Sequence, residues 1–115
     1  MKQSEIWLIN LDPTIGAEIK KTRPAVIVND DALGKLPLKI IVPVTDWKYK
    51  YEIAPWMIKI EPDQQNGLSK ISAADCFQVR SLSRQRFVKK IGHVSKVTLN
   101  EIKTGLSKVL SIKPE

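Results

Sequence analysis

Two residue types that often carry chemistry occur once each in this chain, Cys76 and His93. One of each excludes a Cys/His zinc site within a single chain. It also excludes a serine triad built on a second histidine, and a His–His acid/base pair. Cys76 and His93 could form a nucleophile–base pair. Cys76, however, lies in a strand-like run beside Phe77, where a small buried thiol is the plainer reading. An imidazole can serve in proton transfer, but His93 stands far along the chain from the other candidates and reads as structural. The remaining chemistry is basic and aromatic. Lys20, Lys21 and Arg23 cluster ahead of an apolar run, and Trp47, Lys48, Tyr49, Lys50 and Tyr51 alternate rings with positive charge. Such a pattern suits single-stranded nucleic acid, with bases stacking on rings at ~1–3 kcal/mol each while lysines follow the phosphates. The alternative is that the rings cap a core and the lysines are solvated. Arg84, Arg86, Lys89 and Lys90 form a second basic run, an exposed face that an acidic protein could also use.

Nineteen lysines and arginines against twelve aspartates and glutamates give the 115 residues a net charge of +7. On a small domain this favours a polyanionic partner, nucleic acid or an acidic protein, over a merely soluble basic protein. The length fits one domain, residues 1–115, with one modest core. A hydrophobic share of 43% argues against disorder. The apolar runs, such as the one ending at Val44, stop far short of the ~20 residues that span a bilayer. Asn10 and Asp12 interrupt any secretory core behind Lys2, so a cytoplasmic chain is expected.

The elements that must position these residues are mostly strands. Glu5 to Leu11 alternates, with Ile6 and Leu8 on one face and Trp7, Ile9 and Leu11 on the other. Asp12-Pro13 opens a turn, and Thr14 to Thr22 reads as a loop. Pro24 to Asn29 is a second strand, and Asp30 to Lys35 a short helical turn closed by Gly34. Leu38 to Thr45 is a third strand, in which Pro43 implies a bulge or an edge. Tyr51–Glu61 and Ser69–Ser81 read as a fourth and a fifth strand, separated by a turn over Asp63–Gly67, and Lys89–Ser95 as a short sixth. Leu99, Ile102, Leu106, Val109 and Leu110 recur at helical spacing, which predicts a helix from Leu99 to Ser111 with Thr98 and Glu101 as its capping box. The sum is a small curved antiparallel sheet with one terminal helix, a barrel-like α+β domain.

In this order the residues resemble those of MazF/PemK-type toxins. Glu5-Ile6-Trp7-Leu8-Ile9-Asn10-Leu11-Asp12-Pro13-Thr14-Ile15-Gly16-Ala17-Glu18, followed by Lys21-Thr22-Arg23-Pro24-Ala25-Val26-Ile27-Val28, is similar to the family's opening. Val42-Pro43-Val44-Thr45 resembles its third-strand motif. Asp75-Cys76-Phe77-Gln78-Val79-Arg80-Ser81-Leu82, followed by Arg86-Phe87-Val88-Lys89-Lys90-Ile91-Gly92, resembles its fifth strand and the segment after it. The resemblance implies an SH3-like antiparallel β-barrel with a C-terminal α-helix and a homodimer. It implies a sequence-selective endoribonuclease that cuts single-stranded RNA without metal or cofactor, leaving a 2′,3′-cyclic phosphate and a 5′-hydroxyl. The implied partner is an acidic antitoxin whose disordered tail covers the RNA groove, in a complex that binds DNA.

The resemblance also assigns roles. Arg23 matches the family's arginine at the start of the second strand, where its planar fork can grip two phosphate oxygens. Thr45 matches the Ser/Thr that ends the third strand and can donate one hydrogen bond to the same phosphate. Arginine barely deprotonates in proteins, so Arg23 is a stabiliser rather than a base. One branch of the family carries a histidine where this chain has Ala17, and an arginine and an aspartate where it has Asp75 and Phe77. An acid–base scheme built on those three does not transfer. Catalysis would then use the Arg23/Thr45 scheme, recruit Glu18 or Asp46 (the latter also readable as a solvated turn carboxylate), or be slow. Two further readings stand beside the enzyme: a non-catalytic SH3-like module that binds nucleic acid or antitoxin, and a structural homodimer, which explains the positive charge least well.

Overall fold

The structure is a computed structural model that describes residues 1–11, 15–17, 22–33 and 35–113. Among these residues it contains seven strands and one α-helix. They are β1 (Glu5–Asn10), β2 (Thr22–Ile27), β3 (Leu38–Asp46), β4 (Met57–Ile60), β5 (Ser72–Asp75), β6 (Arg80–Ser83), β7 (Phe87–His93) and α1 (Lys96–Val109). All pairings are antiparallel, in the order β4-β5-β3-β2-β1-β7, with β6 also on β3. The two ends of this path do not pair with each other, so the expected barrel is a barrel-like sheet that stays open.

β3 serves two partners in succession. Leu38–Ile41 pairs with β6, and Val44–Asp46 pairs with β5. Pro43 lies between the two ladders, opposite Ala25 of β2. The sequence suggested a bulge or an edge for this proline. It sits instead inside the sheet, at the point where β3 changes neighbour and neither ladder needs its missing N–H.

Alternation along β1, β2 and β3 divides the apolar residues between two faces, as the sequence pattern implies. Ile6, Val26, Val42 and Val44 join Ile60, Ala74, Cys76, Val94, Leu99 and Ile102 in the larger core, under α1. Ile9, Leu11, Ala25, Ile27, Ile41 and Leu82 form a smaller core on the opposite face, edged by Trp7 and Phe87 in T-shaped contact at 5.9 Å. Among the described residues no helix is long and apolar enough to cross a membrane.

Several boundaries differ from the sequence reading. Residues 51–61 are not one strand: Tyr49–Ile53 is a 3-10 turn, and β4 begins only at Met57. The fifth strand is split, because the Asp75 carboxylate accepts from the Phe77 N–H at 3.0 Å and caps a 3-10 turn over Cys76–Gln78. Cys76 thus lies in that turn rather than in a strand. The sixth strand of the sequence reading is β7, which starts earlier, at Phe87. The turn near Asp30 spans Asp31–Leu33, and Gly34 lies outside the described residues. α1 begins three residues before Leu99. Its cap is Ser95, whose Oγ accepts from the Thr98 N–H at 3.1 Å, so Thr98 is the third helical residue and not the cap. Lys96 and the exposed Val97 add nothing to the apolar stripe, which is why periodicity missed the first turn.

Candidate functional site

The β2–β3 ladder pairs Ile27 with Ile41, Val26 with Val42 and Ala25 with Pro43. Beyond the last paired residues of this ladder, Arg23 near the start of β2 and Thr45 near the end of β3 lie at the same end of the two strands. Each is held by its other neighbour as well: Arg23 pairs with Ile9 of β1, and Thr45 with Ala73 of β5. Both residues are half-buried. Two separate stretches of sequence therefore place a guanidinium and a hydroxyl at adjacent strand ends, on backbone that the sheet fixes.

Next to them is a cavity of about 400 Å³. Arg23, Asp46, Lys70 and Ser72 line it, with Leu8, Pro24, Leu68 and Ile91 as its apolar part and Gly67 and Ser69 completing the wall. Asp46 enters because it pairs with Ser72 and follows Val44, on the larger-core side of β3. Thr45 does not line the cavity. The structure thus brings Arg23 together with Asp46 in one cavity and puts Thr45 at the same end of the sheet. Lys70 and Ser72 were missed by the sequence reading. They lie in a polar stretch far from Arg23 in the chain, and only the β3–β5 pairing brings them near it. Glu18, Lys20 and Lys21 lie outside the described residues.

The aromatic–basic segment after β3 is ordered by its own contacts. Trp47 and Tyr51 meet edge-to-face at 5.7 Å. Lys59 of β4 places Nζ 5.2 Å from the Trp47 ring, and Lys50 places its Nζ 5.9 Å from the Tyr51 ring. Tyr49 stands 89% exposed, and Lys48 and Lys50 are exposed beside it. Of the three rings, Tyr49 is the one offered to solvent, while Trp47 and Tyr51 are engaged with one another.

The second basic run does not act as a unit. Arg86 donates through Nη1 to the Asn10 carbonyl at 3.3 Å, and Lys90 is paired with Glu5 at 3.2 Å. Arg84 and Lys89 are exposed. Cys76 is fully buried and its Sγ–H donates to the Ile102 carbonyl at 3.6 Å. Burial, with the Asp75 charge adding to it, pushes the thiol up to about 12, so it is no nucleophile at neutral pH. His93 ends β7, exposed, and is not part of the Arg23 cavity. Asp75 is 7% exposed and accepts from Gln78 Nε2 at 3.0 Å in addition to the Phe77 N–H. Among the described residues no group of three or more His, Cys, Asp or Glu side chains could hold a metal ion.

The chain has clear relatives. It is 30% identical over 112 residues to the endoribonuclease MazF9 of Mycobacterium tuberculosis, covering 92% of each chain. It is 31% identical over 113 residues to the endoribonuclease PemK of Escherichia coli, covering 96% of this chain and 83% of that one. Its fold superposes, with a TM-score of 0.78 at 16% identity, on a mycobacterial endoribonuclease solved in complex with its cognate antitoxin, over 100% of this chain and 99% of that one. Residues 2–110 match the model of a family described as PemK-like, MazF-like toxins of type II toxin–antitoxin systems, and the chain belongs to that family.

Proposed function

We propose that the chain is the toxin of a type II toxin–antitoxin pair and an endoribonuclease that cuts single-stranded RNA without a metal. The observation that carries this reading is the cavity that Arg23 shares with Asp46, at the end of the sheet where Thr45 also lies, in a chain of this family. The RNA 2′-oxygen attacks the adjacent phosphorus as its proton passes to a base. The phosphorus–O5′ bond breaks, and the leaving oxygen takes up a proton. A 2′,3′-cyclic phosphate and a 5′-hydroxyl result. Arg23 grips two equatorial oxygens of the phosphorane, where charge builds in the transition state. Thr45 donates one further hydrogen bond. Asp46, which shares the cavity with Arg23, is the candidate base among the described residues. Tyr49, Lys48 and Lys50 supply stacking and charge for flanking nucleotides. The partner is an acidic antitoxin, and the working unit is a homodimer in the cytoplasm.

The test is direct. Purified protein in excess EDTA should cut single-stranded RNA, spare double-stranded RNA, and leave ends that mass spectrometry identifies as cyclic phosphates. Loss of cleavage on chelation, restored by magnesium, would defeat the mechanism. A second reading, a binding module without catalysis, is favoured by one observation. Asp75, at a position where the family's acid–base branch has a catalytic group, is spent on capping a turn. RNA or antitoxin binding with no cleavage under any condition would establish that reading instead.

A further inference from the structure

The cavity beside Arg23 has a second cation in its lining, Lys70. The connection that carries it, between β4 and β5, is rich in turn-forming residues yet tightly built. The Asp63 carboxylate accepts from the N–H groups of Gln65 and Asn66 at 2.8 Å each. The Asn66 side chain is 1% exposed; its oxygen accepts from the Leu68 N–H at 3.0 Å, and its amide donates to the Glu61 carbonyl at 2.9 Å. Downstream, the Ile71 carbonyl accepts from the Trp47 N–H at 3.0 Å, and Ser72 Oγ donates to the Lys70 carbonyl at 2.9 Å. The backbone on either side of Lys70 is therefore fixed. On a loose loop a lysine disperses its charge into solvent. Here it is presented at the edge of a cavity whose size suits a small ligand. Arg23 and Lys70 against Asp46 leave the lining with a positive balance, next to an apolar floor of Leu8, Leu68 and Ile91.

We propose that Lys70 is a phosphate-binding residue that grips the RNA backbone in the cavity it lines with Arg23. This rests on the endoribonuclease reading. An ammonium is a point charge that attracts a phosphodiester in the ground state about as well as in the transition state, unlike the arginine fork. Lys70 should therefore govern affinity and not the rate at saturation.

The experiment uses the whole protein and an RNA carrying a 2′-deoxynucleotide at the position the parent cuts, titrated from about 50 to 200 mM salt. Lys70→Ala should lower the slope of log affinity against log salt by about 0.7, the value for one single-strand phosphate contact. Its cleavage rate at saturating RNA should stay within about threefold of the parent. Lys70→Arg should keep the parental slope, and Lys103→Ala, on the exposed side of α1, should not change it. Because both cations hold one ligand, Lys70→Ala combined with Arg23→Ala should depart from the product of the single effects on affinity by about threefold or more. An unchanged slope in Lys70→Ala, with a parent that binds and cuts RNA, overturns the proposal. So does a lowered slope whose effect simply multiplies with that of Arg23→Ala, which marks a separate surface contact. A parent that does not cut RNA defeats the endoribonuclease reading itself, and this proposal with it.

Discussion

Arg23 and Lys70 share one cavity but differ in what they can give a phosphate. The planar fork of Arg23 matches two oxygens at once, and its value is greatest where charge spreads over them. Arg23→Lys keeps the charge and loses the fork. The rate at saturating RNA is expected to fall roughly 100- to 1,000-fold, the usual cost of losing one preorganised donor, while affinity changes far less. Thr45→Val should lose less in the same direction, since one neutral hydrogen bond goes at similar volume. Single-turnover kinetics on folded protein decides the matter. An Arg23→Lys enzyme that cuts at the parental rate would reduce Arg23 to an electrostatic contact.

The elements that hold these side chains depend on a close approach that only glycine allows. Gly67 has φ +69°, and a Cβ there would run into the Ile91 carbonyl of β7. Gly92 faces the same seam, where a Cβ would meet the backbone of Gln65 and Asn66. This packing, together with the 2.9 Å hydrogen bond from the His93 N–H to the Gln65 carbonyl, presses the β4–β5 connection onto the last strand. Gly67→Ala is expected to cost about 1–3 kcal/mol in strain, and more where the backbone must also move. It should also weaken RNA binding, because Lys70 rides on the displaced segment. Chemical denaturation alongside RNA binding tests both, and an alanine variant with parental stability and affinity would show that the seam yields freely. Nothing in the order of residues announces this contact. The strands of the two cores were legible because their apolar, β-branched runs are bounded by turn-forming residues, as in the run from Ala25 to Val28 between Pro24 and Asn29. The 3-10 turns at Tyr49 and Cys76 were not, since each continues an apolar or aromatic run whose break depends on local hydrogen bonds. Likewise Arg23 and Thr45 were picked out by the family resemblance and Asp46 by its place after Thr45, whereas Lys70 enters the lining of the Arg23 cavity only through the β3–β5 pairing.

At the scale of the whole molecule, Glu5 joins the two ends of the sheet's construction. It begins β1, and its carboxylate reaches Lys90 of β7 at 3.2 Å. Burial pushes this carboxyl up, but hydrogen bonds from Trp7 Nε1 at 2.9 Å, from the Lys2 backbone and from Lys90 outweigh it and hold the group at about 2. A carboxyl held below its unfolded value stabilises the fold above that value and loses the contribution as pH falls toward 2. The stability gap between the parent and Glu5→Gln should thus be constant near neutral pH and shrink between about pH 5 and pH 2. Denaturant titrations across that range measure it, and a gap indifferent to pH would show that the contacts are unimportant. The strand order has a further consequence, for synthesis. β1 is flanked by β2 and by β7, the last strand made. A nascent chain on the ribosome can pair β1 on one side early, but the other edge stays open until residue 93 has emerged. A chain truncated before Phe87 would present that edge to other copies and aggregate rather than work as a lesser nuclease. The cell that makes a toxin of this design meets the finished molecule or an inert one.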